Sequence, residues 1–377
     1  MLFGYNGRLA EVNLSTGEVK EQQISEEILR NYIGGTGLGA KILWEGLVPG
    51  TDPLSEENLL LFLGGPYTAT RVPCSGRISV VTKSPLTGAW AESDAGGNFA
   101  TYLKRCGWDG VIVKGKAKSP SYLFISEEGI KIKNADNIWG EDTYKTHEIL
   151  TNMEGNHLST MSIGRAGERG VLLSSIVMDG KDARVAARCG VGAVMGSKKL
   201  KAVAVARDGG EKFPLYDEKC LAESVKEMVK LMVSLSKDMR QYGTSSGVEP
   251  CYELKDFPIK NWQERSWPGV RGLSGERLKE TIFKKRYHCG NCPIGCGRVV
   301  NVEQGKYRTG EEAGGPEYET MGSLGGNLMI GDVRVVAKAN DLCNRYGMDT
   351  ISVGEVIGFS FDCLLYTSPS PRDLSTS

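Results

Sequence analysis

The apolar residues of this chain change period near residue 208, and that change limits the fold more than any other feature. Before it, apolar runs are short and are cut by Gly, Pro, Asp or Ser. They are Leu59–Leu63, Arg77–Thr82, Gly110–Val113, Tyr122–Ile125, Ile130–Ile132, Thr160–Ile163, Val171–Met178 and Lys201–Val205. Runs of this kind predict strands. Arg8–Leu14 and Glu18–Ile24 flank Ser-Thr-Gly and predict a hairpin. One early helix is marked, with Ser25 as N-cap, Glu26 and Glu27 in the first turn, Ile24 and Leu29 at staple spacing, and Gly34-Gly35 as the stop. Many short strands with few helices do not make an alternating βαβ domain. They predict an α+β fold built on antiparallel sheets.

After Gly210 the period becomes helical. Leu221, Val225, Met228, Val229, Met232 and Leu235 recur at helix spacing. A second helix is expected over Val333–Tyr346, with Val336, Ala339, Leu342 and Cys343 on one face. The expected organisation is a β-rich domain over 1–208 and a mainly α-helical domain over 209–362. Residues 363–377, Ser- and Pro-rich after Leu-Leu-Tyr, break off a helix in progress and resemble translated sequencing-adapter sequence. They read as a non-native tail, so the natural protein is expected to be longer.

Lys plus Arg equals Asp plus Glu, 46 each, which argues against a general nucleic-acid or anionic-membrane surface. The first residues lack a secretory pattern, and no apolar run approaches a membrane span. The expected location is the cytoplasm. Ten cysteines in 377 residues are too few for a disulfide scaffold. Seven are scattered, Cys74 among them, and read as small core residues.

The other three stand at Cys289, Cys292 and Cys296, in Cys-Gly-Asn-Cys-Pro-Ile-Gly-Cys. This spacing can set three sulfurs around one inorganic core, with Pro293 and two glycines shaping the loop. A [4Fe–4S] cluster needs a fourth thiolate from elsewhere. Zinc is the main rival, but no second Cys-x2-Cys pair follows, and His288 is too close to Cys289 for easy tetrahedral ligation. Plain structural cysteines are a third reading. The radical-SAM spacing is the reverse of this one. On spacing alone, iron–sulfur, zinc and a structural role all stay open.

Several further segments narrow the choice. They are Gly-Arg-Leu-Ala-Glu-Val-Asn-Leu-Ser-Thr-Gly from Gly7, Ser-Gly-Arg-Ile-Ser-Val-Val-Thr-Lys-Ser-Pro-Leu-Thr-Gly from Ser75, and Arg-Val-Ala-Ala-Arg-Cys-Gly-Val-Gly-Ala-Val-Met-Gly-Ser-Lys from Arg184. Gly-Pro-Glu-Tyr-Glu from Gly315 and Tyr-Gly-Met-Asp-Thr-Ile-Ser from Tyr346 follow the cysteine loop. In this order they resemble the aldehyde:ferredoxin oxidoreductase family, over about residues 1–362.

The resemblance implies a two-sheet pterin-binding domain and an iron–sulfur helical domain. It implies a [4Fe–4S] cluster on Cys289, Cys292 and Cys296, with the fourth cysteine beyond the present chain. It also implies a tungsten (or molybdenum) bis-pterin and a Mg2+ ion between the pterin phosphates. Arg77 matches an arginine between pterin and cluster. Asp94, in place of a family Asn, and Val185 match backbone-carbonyl positions at the magnesium. Gly96, Arg184, Ala187 and Arg188 match pterin contacts, as do Met348, Asp349 and Asn344, the last in place of a family Asp. The glycine-rich stretch Cys189–Gly196 is also open to a reading as a tight packing turn. Glu319 matches a glutamate near the metal, suited to proton transfer. Lys338 stands where some members have a metal-binding Glu at a dimer contact, so that site is not expected and a homo-oligomer stays open.

The implied activity is oxidation of an aldehyde to a carboxylic acid, with electrons leaving through the cluster to ferredoxin or a ferredoxin-like subunit. Two alternatives are kept. One is a reductase of the same scaffold acting on aromatic acyl thioesters or carboxylates. The other is a cluster-bearing electron-transfer subunit without metal–pterin catalysis. The 377-residue chain by itself is expected to be inactive and to hold its cluster poorly.

Overall fold

A computed structural model describes residues 2–155, 157–207 and 213–367. The boundary expected at 208/209 and residues 368–377 of the expected tail lie outside them. By spatial clustering the chain forms two units. One comprises residues 1–240, 286–297 and 344–349, and the other 241–285, 298–343 and 350–377.

Among the described residues the two large sheets of the first unit are built from β1 (Arg8–Asn13), β2 (Glu18–Gln23), β3 (Leu60–Leu63), β4 (Ile78–Lys83), β5 (Trp90–Ala95), β6 (Gly110–Lys114), β7 (Ser121–Ser126), β8 (Gly129–Asn134), β9 (Leu158–Ser162), β10 (Ile176–Met178), β11 (Arg184–Ala186) and β12 (Leu200–Ala206). They form two six-stranded sheets, ordered β2-β1-β6-β3-β4-β5 and β11-β10-β9-β12-β7-β8. The α+β expectation holds. Pairing differs in one respect: β1 runs parallel to β6, and β7 parallel to β12. A parallel pair needs a long crossover, and each of these spans many elements of the chain.

Alternation on the strands decides which side chains meet. Leu60 and Phe62 of β3 join Val80 and Val111 in a core shared with Leu123, Met161 and Val203 of the other sheet. Helix Phe99–Arg105 fills that core with Phe99 and Leu103. Leu61 and Leu63 point the other way, under helices Glu26–Tyr32 and Gly35–Gly46, where Leu29, Leu38 and Leu43 cover them. Ser25 caps the first of these helices by accepting from the Ile28 amide, and the staple residues Ile24 and Leu29 are both buried. On the far face of the second sheet, Ala202, Ala204 and Tyr122 pack on Leu150 of helix Thr143–Glu154.

Two expected elements differ. The strand expected over Val171–Met178 shrinks to β10. Ser174 bonds back to Val171, and the Ser175 amide donates to Gly347 O, so this backbone is satisfied outside the ladder. The glycine-rich stretch around residues 191–197 is a buried helix, Val191–Ser197. A Cβ on Gly196 would lie 1.9 Å from Gly167 O, so only glycine allows this approach.

Helix Glu218–Leu235 forms as its apolar period predicts, yet none of its residues is buried. The second unit is mainly helical. Its core joins Val248, Phe257, Leu273, Leu278, Met321 and Val336. Helix Val333–Tyr346 forms as expected, and Val336 and Cys343 are buried while Leu342 is exposed. Helix Thr350–Thr367 follows it. No helix among the described residues is long and apolar enough to cross a membrane.

The sequence pattern hid a set of buried lysines. Lys104 is almost fully buried and donates to Gly4 O (2.6 Å), Gly65 O (2.7 Å) and Pro66 O (3.3 Å), 4.0 Å from Asp109 Oδ1. Burial pushes its ammonium down to about 8. Removing one partner of a buried pair leaves the other uncompensated, at a cost of about 3–5 kcal/mol. Lys104→Ala is therefore expected to destabilise the chain by about that much. Urea unfolding would measure it; a change under about 1 kcal/mol would count against a structural role for this cation.

Candidate functional site

Two segments beyond residue 285 belong to the sheet-bearing unit: 286–297 and 344–349. They bring Cys289, Cys292, Cys296, Asn344, Met348 and Asp349 into the same unit as Arg77, Asp94, Gly96 and Arg184–Arg188. Glu319 lies in the other unit.

The cysteine loop is held by its backbone. The Cys292 amide donates to Cys289 O (3.1 Å), closing a turn. His288 Nδ1 lies 3.0 Å from Cys292 O. A carbonyl only accepts, so the Nδ1 nitrogen carries the proton. Arg286 donates to Ile294 O (2.7 Å) and Gly295 O (3.3 Å), and Arg240 donates to Pro293 O. Three successive carbonyls are thus bound by cations. Gly295 is left-handed (φ 60°), and a Cβ there would strike the His288 ring at 2.3 Å.

The loop docks on the ends of β4 and β5. The Gly290 amide donates to Gly97 O (2.8 Å). A Cβ on Gly76 would come within 2.9 Å of Gly290 O. A Cβ on Gly96 would lie 2.7 Å from Cys289 Sγ and 3.9 Å from Arg184 Cδ. Gly96, read from sequence as a pterin contact, is therefore also the floor beneath Cys289. Arg184 is held in β11 opposite Met178, and its guanidinium sits 5.4 Å from the Tyr287 ring centroid. The Tyr287 hydroxyl is buried without a hydrogen-bond partner among the described residues. Burial first, then the negative charges of Asp179, Asp182 and Cys289, push its ionisation far upward, so it stays a neutral phenol.

Cys74 is not the core residue that its scattered position predicts: it is exposed, with its Sγ 3.5 Å from Cys292 Sγ. The side facing Cys292 is dry enough that burial, then the hydrogen bond and charge of Cys292, push the Cys74 thiol up to about 12. No sequence signal pointed to it, because 218 positions separate the two residues. Among the described residues, no three His, Cys, Asp or Glu side chains already stand as a metal site. The donor chemistry suits iron–sulfur ligation: soft thiols on a loop with fixed carbonyls and a close glycine floor.

A second group forms where 344–349 packs on 173–175. The Asp349 amide donates to Leu173 O (3.0 Å), and Met348 bridges Ser174. The buried Asn344 accepts Thr143 Oγ1 at its carbonyl (2.8 Å). Arg188, just beyond β11, reaches the buried Asp349 carboxylate at 3.6 Å. Val185 pairs with Val177 inside the ladder, and Ala187 follows it to the exposed Arg188. Arg77 and Asp94 are both exposed, at the start of β4 and near the end of β5. In the second unit Glu319 is exposed on a short turn, Tyr318–Thr320, whose carbonyl at 319 accepts Ser323 Oγ (2.7 Å). A buried π-helical turn, Met321–Gly326, follows. Such turns are frequent at functional sites.

Two six-stranded sheets, with a loop of three thiols docked at the ends of β4 and β5, define a scaffold whose soft donors could hold a metal or cluster. The family model for the aldehyde ferredoxin oxidoreductase N-terminal domain matches residues 9–207, and that for domains 2 and 3 matches 221–365. The chain belongs to the aldehyde ferredoxin oxidoreductase family. It is 38% identical to the tungsten-containing aldehyde ferredoxin oxidoreductase of Pyrococcus furiosus, over 96% of this chain and 59% of that protein. It is 34% identical to the aliphatic sulfonate oxidoreductase, WOR-like subunit, of the same organism, over 95% of this chain and 59% of that protein. Among solved structures it resembles the active-site complex BamBC of benzoyl coenzyme A reductase with 1,5-dienoyl-CoA, with a TM-score of 0.86 and 26% identity over 98% of this chain and 58% of that one. The chain thus spans about three fifths of the length of these relatives.

The contact beneath Cys289 gives a direct test. Gly96 has no left-handed φ, so alanine is conformationally allowed and acts only through its methyl group. Gly96→Ala is expected to keep the fold by circular dichroism but weaken iron binding, followed by anaerobic iron titration, by about ten- to hundredfold. Unchanged iron binding would show that Cys289 does not need this floor.

Proposed function

We propose that a protein carrying this chain oxidises an aldehyde to its carboxylic acid and passes the electrons to ferredoxin or a ferredoxin-like subunit. The observation that carries this reading is the docking of the thiol loop, through Gly96 and Gly97, into the same unit as Arg184–Arg188 and Asn344–Asp349. Family membership supplies the chemistry this arrangement would serve. When bound, a tungsten (or molybdenum) bis-pterin supplies two-electron substrate oxidation, and a [4Fe–4S] cluster supplies single-electron transfer.

The chain's own residues have separate tasks in this reading. Cys289, Cys292 and Cys296 hold iron. Arg77 is exposed and makes no hydrogen bond or ion pair among the described residues, so its guanidinium donors would be open to a pterin or to cluster sulfur. Arg188, at the surface, offers charge to a pterin phosphate. Gly96, Arg184, Ala187, Asn344, Met348 and Asp349 line the pterins. The backbone carbonyls of Asp94 and Val185 hold Mg2+, a hard cation that takes oxygen ligands. Glu319 holds and releases the proton that aldehyde oxidation requires to move. A cytoplasmic location fits this electron acceptor.

A second reading, reduction of an aromatic acyl thioester, draws support from the match to the benzoyl coenzyme A reductase complex. The deciding experiment uses the whole protein, purified without oxygen. Tungsten or molybdenum together with iron and pterin is expected, with aldehyde-dependent reduction of ferredoxin. Turnover confined to aryl-CoA thioesters would replace the first reading by the second. Iron alone, with no tungsten, molybdenum or pterin, would sink both. In the active protein, Glu319→Gln is expected to lower kcat by about a hundredfold or more while metal content stays unchanged.

A further inference from the structure

The loop Thr70–Gly76 is clipped to the cysteine loop in a way that neither the family resemblance nor the proposed chemistry uses. The Asn291 side-chain amide donates to Val72 O (2.8 Å) and Thr70 O (3.2 Å), and the Cys74 amide donates back to Asn291 O (3.1 Å). Ser75 Oγ closes the turn on Val72 O (2.7 Å). Both Cys74 (φ 60°) and Asn291 (φ 53°) hold left-handed backbone, which a cysteine rarely adopts. The clip directs the Cys74 side chain onto Cys292, with the two sulfurs 3.5 Å apart, and both thiols are free. A disulfide requires about 2.05 Å. The sulfurs need to close by only about 1.5 Å, a displacement that side-chain torsions can supply between loops already pinned together. Cys74 is exposed, so a small oxidant can reach it.

We propose that Cys74 and Cys292 are a redox pair, which closes to a disulfide in the cluster-free chain and withdraws Cys292 from iron. A small-molecule disulfide such as oxidised glutathione is the oxidant. One protein thiolate attacks it, forming a mixed disulfide and releasing one glutathione. The second protein thiolate attacks the mixed disulfide and releases the other. Two protein S–H bonds are lost, one S–S bond forms, and both electrons and both protons end on two molecules of reduced glutathione. A thiol or dithiol reductant reverses the step. The disulfide rests on the loop geometry alone. Its effect on iron rests on the reading of Cys292 as a cluster ligand.

The test uses the 377-residue chain, freed of metal and equilibrated without oxygen in oxidised or reduced glutathione. Free thiols are then alkylated, and peptides are mapped by mass spectrometry. A Cys74–Cys292 linked peptide is expected under oxidation, with the exposed Cys220 serving as a control for reagent access. Iron and sulfide uptake should fall about tenfold in the oxidised chain and return after dithiothreitol. Cys74→Ser should take up iron equally before and after oxidation, as should Cys74→Gly, which suits the left-handed backbone. If Cys220 is modified but no linked peptide appears, the pair is refuted. If the linked chain loads as much iron as the reduced one, the withdrawal of a ligand is refuted. If the reduced chain and both variants bind no iron at all, the claimed effect of the disulfide on iron is refuted for this chain, while a linked peptide would still establish the pair.

Discussion

The site depends on one close approach of backbone to backbone. Residues 289–291 meet residues 74–76 and 96–97 through backbone at Gly76, Gly97 and Gly290, and the Cys289 sulfur sits directly over Gly96. The Gly290 amide donates to Gly97 O, and the positions where Gly76 and Gly96 would carry a methyl group are filled by Gly290 and Cys289. Chain segments about two hundred positions apart are fixed to each other by peptide groups, whose geometry tolerates little slack. Arg240 and Arg286 then hold the carbonyls of residues 293–295 from the other side. The thiols therefore inherit their positions from hydrogen bonds already made. A site built in this way loses less order when its ligand arrives.

Much of the fold was legible because the apolar period and the turn residues agree. β1 and β2, the cap at Ser25 and helix Val333–Tyr346 all follow local signals. What was not legible lies where glycine or small residues serve tertiary contact. Helix Gly35–Gly46 opens on Gly-Thr-Gly, which disfavours helix, yet Gly37 passes 2.4 Å from Tyr32 O and Gly39 2.8 Å from Val81, measured from the Cβ each lacks. Strand β5 reads Trp-Ala-Glu-Ser-Asp-Ala, poor in β-formers, but its buried face needs small residues: Ala91, Ser93 and Ala95. In both places packing overrides propensity.

The site divides along the same line. The spacing of Cys289, Cys292 and Cys296 is local and can be read directly. The neighbours that give those sulfurs a setting are not local. Cys74 and the glycine floor at Gly76 and Gly96 come from loops and strands whose contact only the folded chain reveals. Family resemblance reached Gly96 and Arg184 as pterin positions but gave no sign that Gly96 lies against the Cys289 thiol. It also gave no reason to look at Cys74, because a lone cysteine after a proline carries no pattern of its own.

Burial sorts the cations of the first unit into those the fold has used and those it has left available. Lys104 is bound by three carbonyls, Lys198 by two, and Lys201 is paired with the buried Glu168. Burial lowers the ionisation of all three, and none could turn toward a ligand without leaving buried acceptors unpaired. Arg77 and Arg188 are different. The first is exposed without a partner among the described residues. The second is 60% exposed at its side chain and meets Asp349 only at 3.6 Å. The Arg188 end of that pair is in solvent and its contact is longer than a hydrogen bond, so the guanidinium keeps donors for an anion while it stays beside Asp349. Arginine also suits phosphate, because its planar donors match two oxygens at once. The exposure of Arg77 and Arg188 thus supports the proposal that they meet a cofactor, beside their place in a motif.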